Sequence, residues 1–390
     1  MRIAFAMINC NRRDGSARPV NEVAERLARK GHDVHLFARK VEDLDLELVT
    51  WHRVPGPGWP EVVDFSTYHA LANMQIRQRD FDIVHSIGCN TDRADVVTIQ
   101  NIQPAKQEIV RRFESAERVS LPRRLTRWLY HLRTCAAERS LYTRAAHQPP
   151  LVFLPVSQGV ERELRRFYQI GTSRVRIVPN AADTEKFRPI DPDARLAWRE
   201  MNGFRGDDFI AVFSGGEWMR KGLDLCIRAI ASSAEPHIKL FVAGDDPNRA
   251  RFLQMARDLG VSGRIVFGGF RSDVERVMAA GDLFLFPSHY EAFSLATIEA
   301  AACGLPIVAA RINGTEEFIQ PGVNGEFVSY VPEEIGACLS AMSSMPGRVR
   351  EMGANARRIV ESQYTWDRVA MMTEDAYNEF LAKKNDNARG

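Results

Sequence analysis

Two rhythms of apolar and polar residues alternate along the chain. Short, nearly continuous apolar runs read as buried strands, and between them apolar residues recur at the three-to-four spacing of helices. The run 3–8 is a first strand. A helical pattern follows over about 19–30, with Val20, Val23, Ala24, Leu27 and Ala28 on one face, and 33–37 is a second strand. Strand, helix, strand in that order predicts a parallel sheet. Further strands are predicted at 47–51, 81–85, 96–100, 151–156 and 175–180, with a helix over 64–79.

A polar helical stretch, 191–205, precedes a second and more regular alternation. Strands are predicted at 209–213, 238–244, 264–268, 282–286, 306–310 and 327–329. Helices are predicted at 223–232, 249–259, 273–280 and 295–303, and further helices close the chain from 332 to 380. The tail 383–390 is polar and is expected to fray. The pattern therefore predicts an α/β protein of two doubly wound parallel-sheet domains facing a cleft. Their expected extents are 1–182 and 183–365, followed by a C-terminal helix and tail, 366–390, returning to the first domain.

Composition narrows this picture. The chain has 390 residues, 45% hydrophobic and 26% charged, with a formal net charge of +2. That gives no global attraction to nucleic acid. Six scattered cysteines lack paired spacing and read as reduced core residues of a cytoplasmic protein, and no metal site is expected. The first apolar run is too short for a signal peptide, and no run of about 18 apolar residues exists. His52, His69 and His85 share no spacing and read as structural or exposed.

Candidate chemistry gathers at the carboxyl ends of predicted strands. After 282–286 comes a loop holding Glu291, then Ser294 as helix N-cap and Glu299 about one turn inside the helix. The backbone N–H groups of Phe293, Ser294 and Leu295 fall at the helix start, where an anion is favoured. Two acids around an anion site fit a nucleotide sugar: hydroxyls on the carboxylates and phosphate on the amides. After 209–213 comes Ser214-Gly215-Gly216-Glu217-Trp218-Met219-Arg220-Lys221-Gly222. The glycines permit close approach of a phosphate, and Arg220 with Lys221 can neutralise it. An exposed basic pair is the bland alternative, but a helix start disfavours cations, so the placement asks for an anionic partner. Arg271, after the strand at 264–268, either holds a base or belongs to a structural turn. Gly15, in the loop after the first strand, suits close ligand approach or simply a turn; that loop lacks the GxGxxG pattern.

The segment 106–147 departs from the alternation. It carries ten basic residues against four acidic, a net of +6. Leu125, Trp128, Leu129, Leu132 and Cys135 recur at helical spacing among the arginines. This is either a helix pair with a solvated basic face or an amphipathic surface for anionic lipid or an anionic acceptor.

Taken together, Glu291 and Glu299 as an E-x7-E pair, the Ala-Ala-Ala-Cys-Gly-Leu-Pro that follows, Arg220-Lys221-Gly222, Pro179-Asn180-Ala181-Ala182-Asp183 and Val156-Ser157 resemble the family-4 retaining glycosyltransferases of GT-B architecture. Within that family the chain looks most like lipopolysaccharide core α-glucosyltransferases, which are peripheral on the inner face of the cytoplasmic membrane. The resemblance implies transfer of a hexose from a nucleotide sugar, preferably UDP-linked, to a cell-surface glycan or glycolipid. It implies that Arg220, Lys221 and Glu291 are catalytic, with the basic pair holding the diphosphate and Glu291 beside the hexose. It implies donor contacts at Gly15, Gly215, Arg271, Phe293, Ser294, Leu295 and Glu299, the last on the ribose, with no metal and no cofactor. Closure of the two domains on donor binding is also implied.

Three departures from the family pattern stand out. Gln100 replaces a histidine associated with acceptor contact, though an amide still hydrogen-bonds a sugar. Gly216 stands where many members carry Arg, so Arg220 takes over that charge. Ser294 replaces a glycine and narrows the room beside the donor. An inactive donor-binding partner subunit, a nucleotide-sugar epimerase and a phosphorylase fit the same architecture. A phosphorylase would carry a cofactor lysine, which the sequence does not show.

Overall fold

The first apolar rhythm folds into one sheet. In the computed structural model, which describes residues 1–12, 15–114, 121–144 and 151–389, the elements run β1 (Arg2–Ala6), β2 (Asn9–Cys10), α1 (Arg18–Arg29), β3 (Asp33–Ala38), β4 (Lys40–Val41), β5 (Thr50–Arg53), α2 (Glu61–Arg77), β6 (Ile83–Ile87), β7 (Val96–Ile99), α3 (Gln103–Glu114), α4 (Leu121–Arg144), β8 (Val152–Pro155) and α5 (Gln158–Tyr168). The six main strands lie in the order β5-β3-β1-β6-β7-β8, every pair parallel. The chain winds outward from β1 to β5 and then returns to the other side of β1 at β6. The loops after β1 and β6 therefore part at the carboxyl edge and open a crevice, the switch point of a doubly wound sheet.

The second rhythm repeats the topology. It comprises α6 (Pro192–Met201), β9 (Phe209–Ser214), α7 (Leu223–Ser232), β10 (Ile238–Ala243), α8 (Arg249–Asp258), β11 (Ile265–Gly269), α9 (Val274–Ala280), β12 (Leu283–Phe286), α10 (Leu295–Ala302), β13 (Ile307–Ala310), α11 (Thr315–Phe318), β14 (Gly325–Val328), α12 (Pro332–Ser343) and α13 (Pro346–Gln363), and the last helix, α14 (Trp366–Arg389), follows. The sheet order is β11-β10-β9-β12-β13-β14, again all parallel, so the reversal falls between β9 and β12. Asp282 fixes that junction. Its carboxylate accepts from the Ile210 amide at 2.7 Å, from Arg199 at 2.7 Å and from Arg195 at 2.6 Å, tying the start of β12 to β9 and α6.

Contacts divide the chain into Met1–Asn180 with Trp366–Gly390, and Ala181–Thr365. The first boundary lies two residues before the expected one. Helix α14 belongs to the first unit and packs on α1. Arg26 meets Asp367 at 2.6 Å, and Lys30 meets Glu374 at 2.6 Å. The Tyr377 hydroxyl meets His85 Nδ1 at 2.5 Å, and His85 Nε2 meets Thr98 Oγ1 at 2.7 Å. His85 is thus buried and structural, the first of the two roles, structural or exposed, that its lack of any shared spacing left open.

Three expectations need correction. The strand expected at 47–51 begins only at Thr50. Asp45 instead organises a turn, its carboxylate accepting from the Glu47 amide and its carbonyl from Leu48 and Val49. No strand covers 175–180; Val175 makes an isolated bridge to Phe153, and Pro179 offers no amide to a ladder. The tail beyond 383 continues α14 to Arg389, supported by a Lys383–Glu379 pair at 2.8 Å; Gly390 lies outside the described residues. Of the basic segment 106–147, residues 115–120 and 145–147 also lie outside them. Among the described residues no helix is long and apolar enough to cross a membrane.

The His85 contact has a pH signature. Burial lowers its pKa from 6.5 to about 3. Below pH 6.5 the unfolded chain takes up a proton that the folded chain refuses. Stability is therefore lost as pH falls from 6.5 toward 3, and this group adds no pH dependence above that window. The stability gap between wild type and His85→Gln, measured by urea denaturation, should narrow by about 1 kcal/mol per pH unit below pH 6. A gap independent of pH would contradict the assignment.

Candidate active site

Two loops flank the switch point of the second sheet, 215–222 after β9 and 287–294 after β12. They touch because Gly222 is glycine. Its φ is +76°, and a Cβ there would lie 2.3 Å from the Pro287 carbonyl oxygen. The Arg220 carbonyl accepts from the His289 amide at 2.9 Å and from the Ser288 hydroxyl at 3.3 Å, so the loops are stitched along their backbones. Trp218 is fully buried and anchors the first loop. Its indole donates to the Gly215 carbonyl at 2.9 Å, and its amide donates to Asp246 at 2.9 Å.

That stitching brings four charged side chains together. Arg220 donates to Glu291 at 3.0 Å and to the Tyr290 carbonyl, and its Nε donates to Glu217 at 2.9 Å while a second nitrogen reaches the same carboxylate. Lys221 Nζ lies 3.5 Å from the same Glu291 oxygen and 5.2 Å from the centroid of the Phe286 ring. Burial works against the charge on Arg220, but Glu291 and Glu217 outweigh it and hold its pKa above the ordinary arginine value. Lys221 folds back over Gly215, whose φ is +132°; a Cβ there would sit 2.8 Å from Nζ. Two cations and two carboxylates leave the cluster formally neutral, with both cations gathered, and already paired, at the carboxyl ends of β9 and β12.

The second loop runs on into α10. Ser294 is its N-cap, and the Ser294 hydroxyl accepts from the Thr297 amide at 3.2 Å. Phe293 is buried, its ring 5.7 Å from that of Tyr364. Leu295 opens the helix, whose first-turn amides point at the loop and favour an anion there. Glu299 lies one turn in and is buried. Burial and the Glu299 charge together push the Cys303 thiol well up, which keeps it protonated and inert.

Arg271 stands elsewhere, after β11 at the sheet edge. Its guanidinium is held by Asp273 through two bonds of 2.7 Å, which raise its pKa. That pairing is what a structural turn would show. The neighbouring Phe270 is 78% exposed. Sequence reasoning passed over Phe270, Glu217 and Asp246. Exposure of an aromatic beside a strand end is what distinguishes Phe270, and the apolar run before it gives no sign of that.

Gly15 and Gln100 belong to the first unit. Gly15 lies exposed in the loop before α1. Gln100 follows β7 and exchanges amide hydrogen bonds with Asn180 at 3.1 and 3.3 Å. At this sheet's switch point lies a cavity of about 580 Å³, lined by Asn9, Arg39, Asp64, Gln100 and Lys106 among others. Arg39 meets Asp64 at 2.5 Å and Asn9 at 2.9 Å. Behind the cavity, Glu138 accepts from the Gln103 amide at the start of α3 at 3.0 Å and from the Tyr168 hydroxyl at 2.7 Å; burial raises its pKa to about 7. On α4, Leu125, Trp128, Leu129 and Leu132 are exposed beside Arg123 and Arg124. Among the described residues no group of three or more His, Cys, Asp or Glu side chains could hold a metal ion.

Gly222→Ala should cost about 2–4 kcal/mol, because it combines a left-handed backbone with a clash against Pro287. Urea denaturation measures this. A stability within error of wild type would show that the two loops need not touch.

Residues 13–186 match the family described as "Glycosyltransferase Family 4" and residues 194–359 that described as "Glycosyl transferases group 1". An uncharacterized glycosyltransferase of Methanocaldococcus jannaschii is 28% identical over 57% of this chain and 59% of its own length. The chain thus spans under two thirds of that relative. Lipopolysaccharide glucosyltransferase WaaG of Escherichia coli K12 is 25% identical over 93% of this chain and 95% of its own. Among solved structures, WaaG superposes with a TM-score of 0.77 at 22% identity, covering 96% of this chain and 98% of the other. HepE of Anabaena, solved with UDP and glucose, superposes at 0.74 with 18% identity, covering 97% and 100%. These likenesses establish the fold as GT-B.

Proposed function

Because the chain belongs to the GT-B glycosyltransferases that join a Family 4 domain to a group 1 domain, we propose that it transfers a hexose from a nucleotide sugar to a glycan or glycolipid acceptor, retaining the anomeric configuration. The observation that carries this reading is the pair of cations, Arg220 and Lys221, gathered on Glu291 at the switch point of the second sheet. A diphosphate arriving there meets two positive charges and the amides at the start of α10. The same charges stabilise it as it leaves, the work a divalent ion does elsewhere. The assignment therefore needs no metal and no cofactor. Glu299 is assigned to the ribose, Glu291 to the hexose side, and Gly215, Phe293, Ser294 and Leu295 to close approach of the phosphates. Gly15 is assigned to the phosphates from the first unit. Arg271 is retained near the base only through its backbone and the adjacent Phe270.

UDP is the favoured nucleotide, supported by its presence in HepE, and lipopolysaccharide core is the favoured acceptor, supported by the similarity to WaaG over nearly the whole chain. The polar cavity of the first unit, with Gln100 on its wall, is the assigned acceptor site. An inactive donor-binding subunit is the second reading. The Gln100–Asn180 pair favours it to the extent that the Gln100 amide is already engaged. Slow hydrolysis of UDP-glucose separates the two, since an inactive subunit would bind without turnover.

Lys221→Ala should lower turnover by about 2–4 kcal/mol of transition-state stabilisation, and wild-type activity should survive EDTA. Wild-type turnover in the variant, or loss of activity on chelation, would sink the assigned charge chemistry.

The exposed apolar stripe of α4 among arginines supports a cytoplasmic protein that docks on the inner face of the cytoplasmic membrane. The protein should co-sediment with anionic vesicles and be released by salt, each basic residue near the surface contributing on the order of 1 kcal/mol. Equal partition onto neutral vesicles would remove this part of the proposal.

A further inference from the structure

Arg220 can offer a diphosphate little as it stands. Of its five N–H groups, four are engaged among the described residues: two on Glu217, one on Glu291 and one on the Tyr290 carbonyl. These partners differ in how readily they can leave. The Tyr290 carbonyl is fixed by the backbone, and the Glu291 side chain is 14% accessible. The Glu217 side chain is 71% accessible, so water can receive it at small cost.

The backbone of Glu217 is also prepared for such a release. It sits at φ +50°, a left-handed conformation unusual for glutamate. Its carbonyl accepts from the Lys221 amide at 3.0 Å, and the next amide, Trp218, is pinned to Asp246 at 2.9 Å. The main chain is therefore held while the side chain stays at the surface. Its carboxylate can swing out without loosening the loop or moving Arg220, which Glu291 and Tyr290 continue to hold.

From this geometry we infer that Glu217 is an internal stand-in for the donor's phosphate: its carboxylate occupies the Arg220 fork in the empty site, is displaced when a nucleoside diphosphate binds, and returns to help expel the product. The inference rests on the donor-site reading of Arg220 and Lys221. It adds a residue that weakens binding by competition where its neighbours strengthen it. With Glu217 in place the cluster is formally neutral; without it the cluster carries one positive charge and presents two more N–H groups.

Competition and support have opposite signs, which makes the role testable. UDP binding to the full chain would be measured by calorimetry for wild type, Glu217→Gln, Glu217→Ala and Arg220→Ala. Glu217→Gln keeps the shape of the side chain and removes its charge. It should lower the Kd for UDP about two- to fivefold, as expected for one exposed ion pair, and Glu217→Ala should act in the same direction. The difference from wild type should shrink as salt is raised. Arg220→Ala should weaken binding about tenfold or more. A residue that merely orients Arg220 would weaken UDP binding when replaced. If wild type binds UDP but Glu217→Gln binds it equally or less tightly, the stand-in role is overturned while the donor site stands. If wild type binds none of UDP, ADP and GDP, or if Arg220→Ala binds UDP as well as wild type, the donor-site reading falls and takes this inference with it.

Discussion

One carboxylate oxygen organises the second unit's site. Glu291 Oε1 faces Arg220 at 3.0 Å and Lys221 at 3.5 Å, and it accepts from the Ser288 hydroxyl at 3.4 Å. Arg220 and Lys221 are neighbours in sequence, and both are largely shielded from water. Without an anion between them they would repel in a setting where solvent screens poorly. Glu291 makes their convergence tolerable. It reaches them only because Gly222 lets the two loops meet and Asp282 fixes β12 against β9. Loop contact, charge convergence and strand register are thus one constraint seen at three scales.

The two sheets share their winding and differ in what they place at the reversal. In the second unit the reversal carries glycines, a basic pair and the start of a helix, which is a small set suited to compact negative charge. In the first it carries a cavity of mixed polarity, where Arg39 is already matched by Asp64 and Asn9. A parallel sheet supplies a crevice by topology alone. The residues at its mouth determine which ligand chemistry the crevice accepts.

Most of this was legible in the chain because burial imposes period. Parallel strands shielded on both faces must be continuously apolar, so β1, β9, β12 and β13 stand out as uninterrupted runs. Capping was legible as well: Ser294 before a run of helix formers could hardly be anything else. What stayed hidden was the choice among partners. Arg271 has an acid two residues away and Arg220 has one three residues before it, yet nothing in the sequence says whether such pairs form. Glu217 was hidden for a further reason, since a glutamate in the left-handed region violates local preference and is imposed by the loop around it. The strand read at 47–51 failed because Asp45, outside the apolar run, claims its amides for a turn. The tail failed in the opposite sense, because its polar residues continue a helix already begun on α1, with Lys383 paired to Glu379 one turn back. The pairing of Gln100 with Asn180 joins residues 80 apart, and only the fold could reveal it.

The place where the second unit begins and ends has a consequence of its own. Ala182 and Thr365 form a parallel bridge, and the Ala182 amide donates to the Tyr364 carbonyl at 3.0 Å. The entry and exit of that unit are thus clasped side by side. To the first unit, whose last helix is synthesised after the whole second unit, that intervening unit is equivalent to a short loop. Once it has folded, the entropy of bringing α14 back to α1 is that of closing a few residues rather than the full insertion. The arrangement is that of a guest domain set into a host, and it explains how a helix more than 300 residues distant in sequence can complete the first sheet's layer as though it were local.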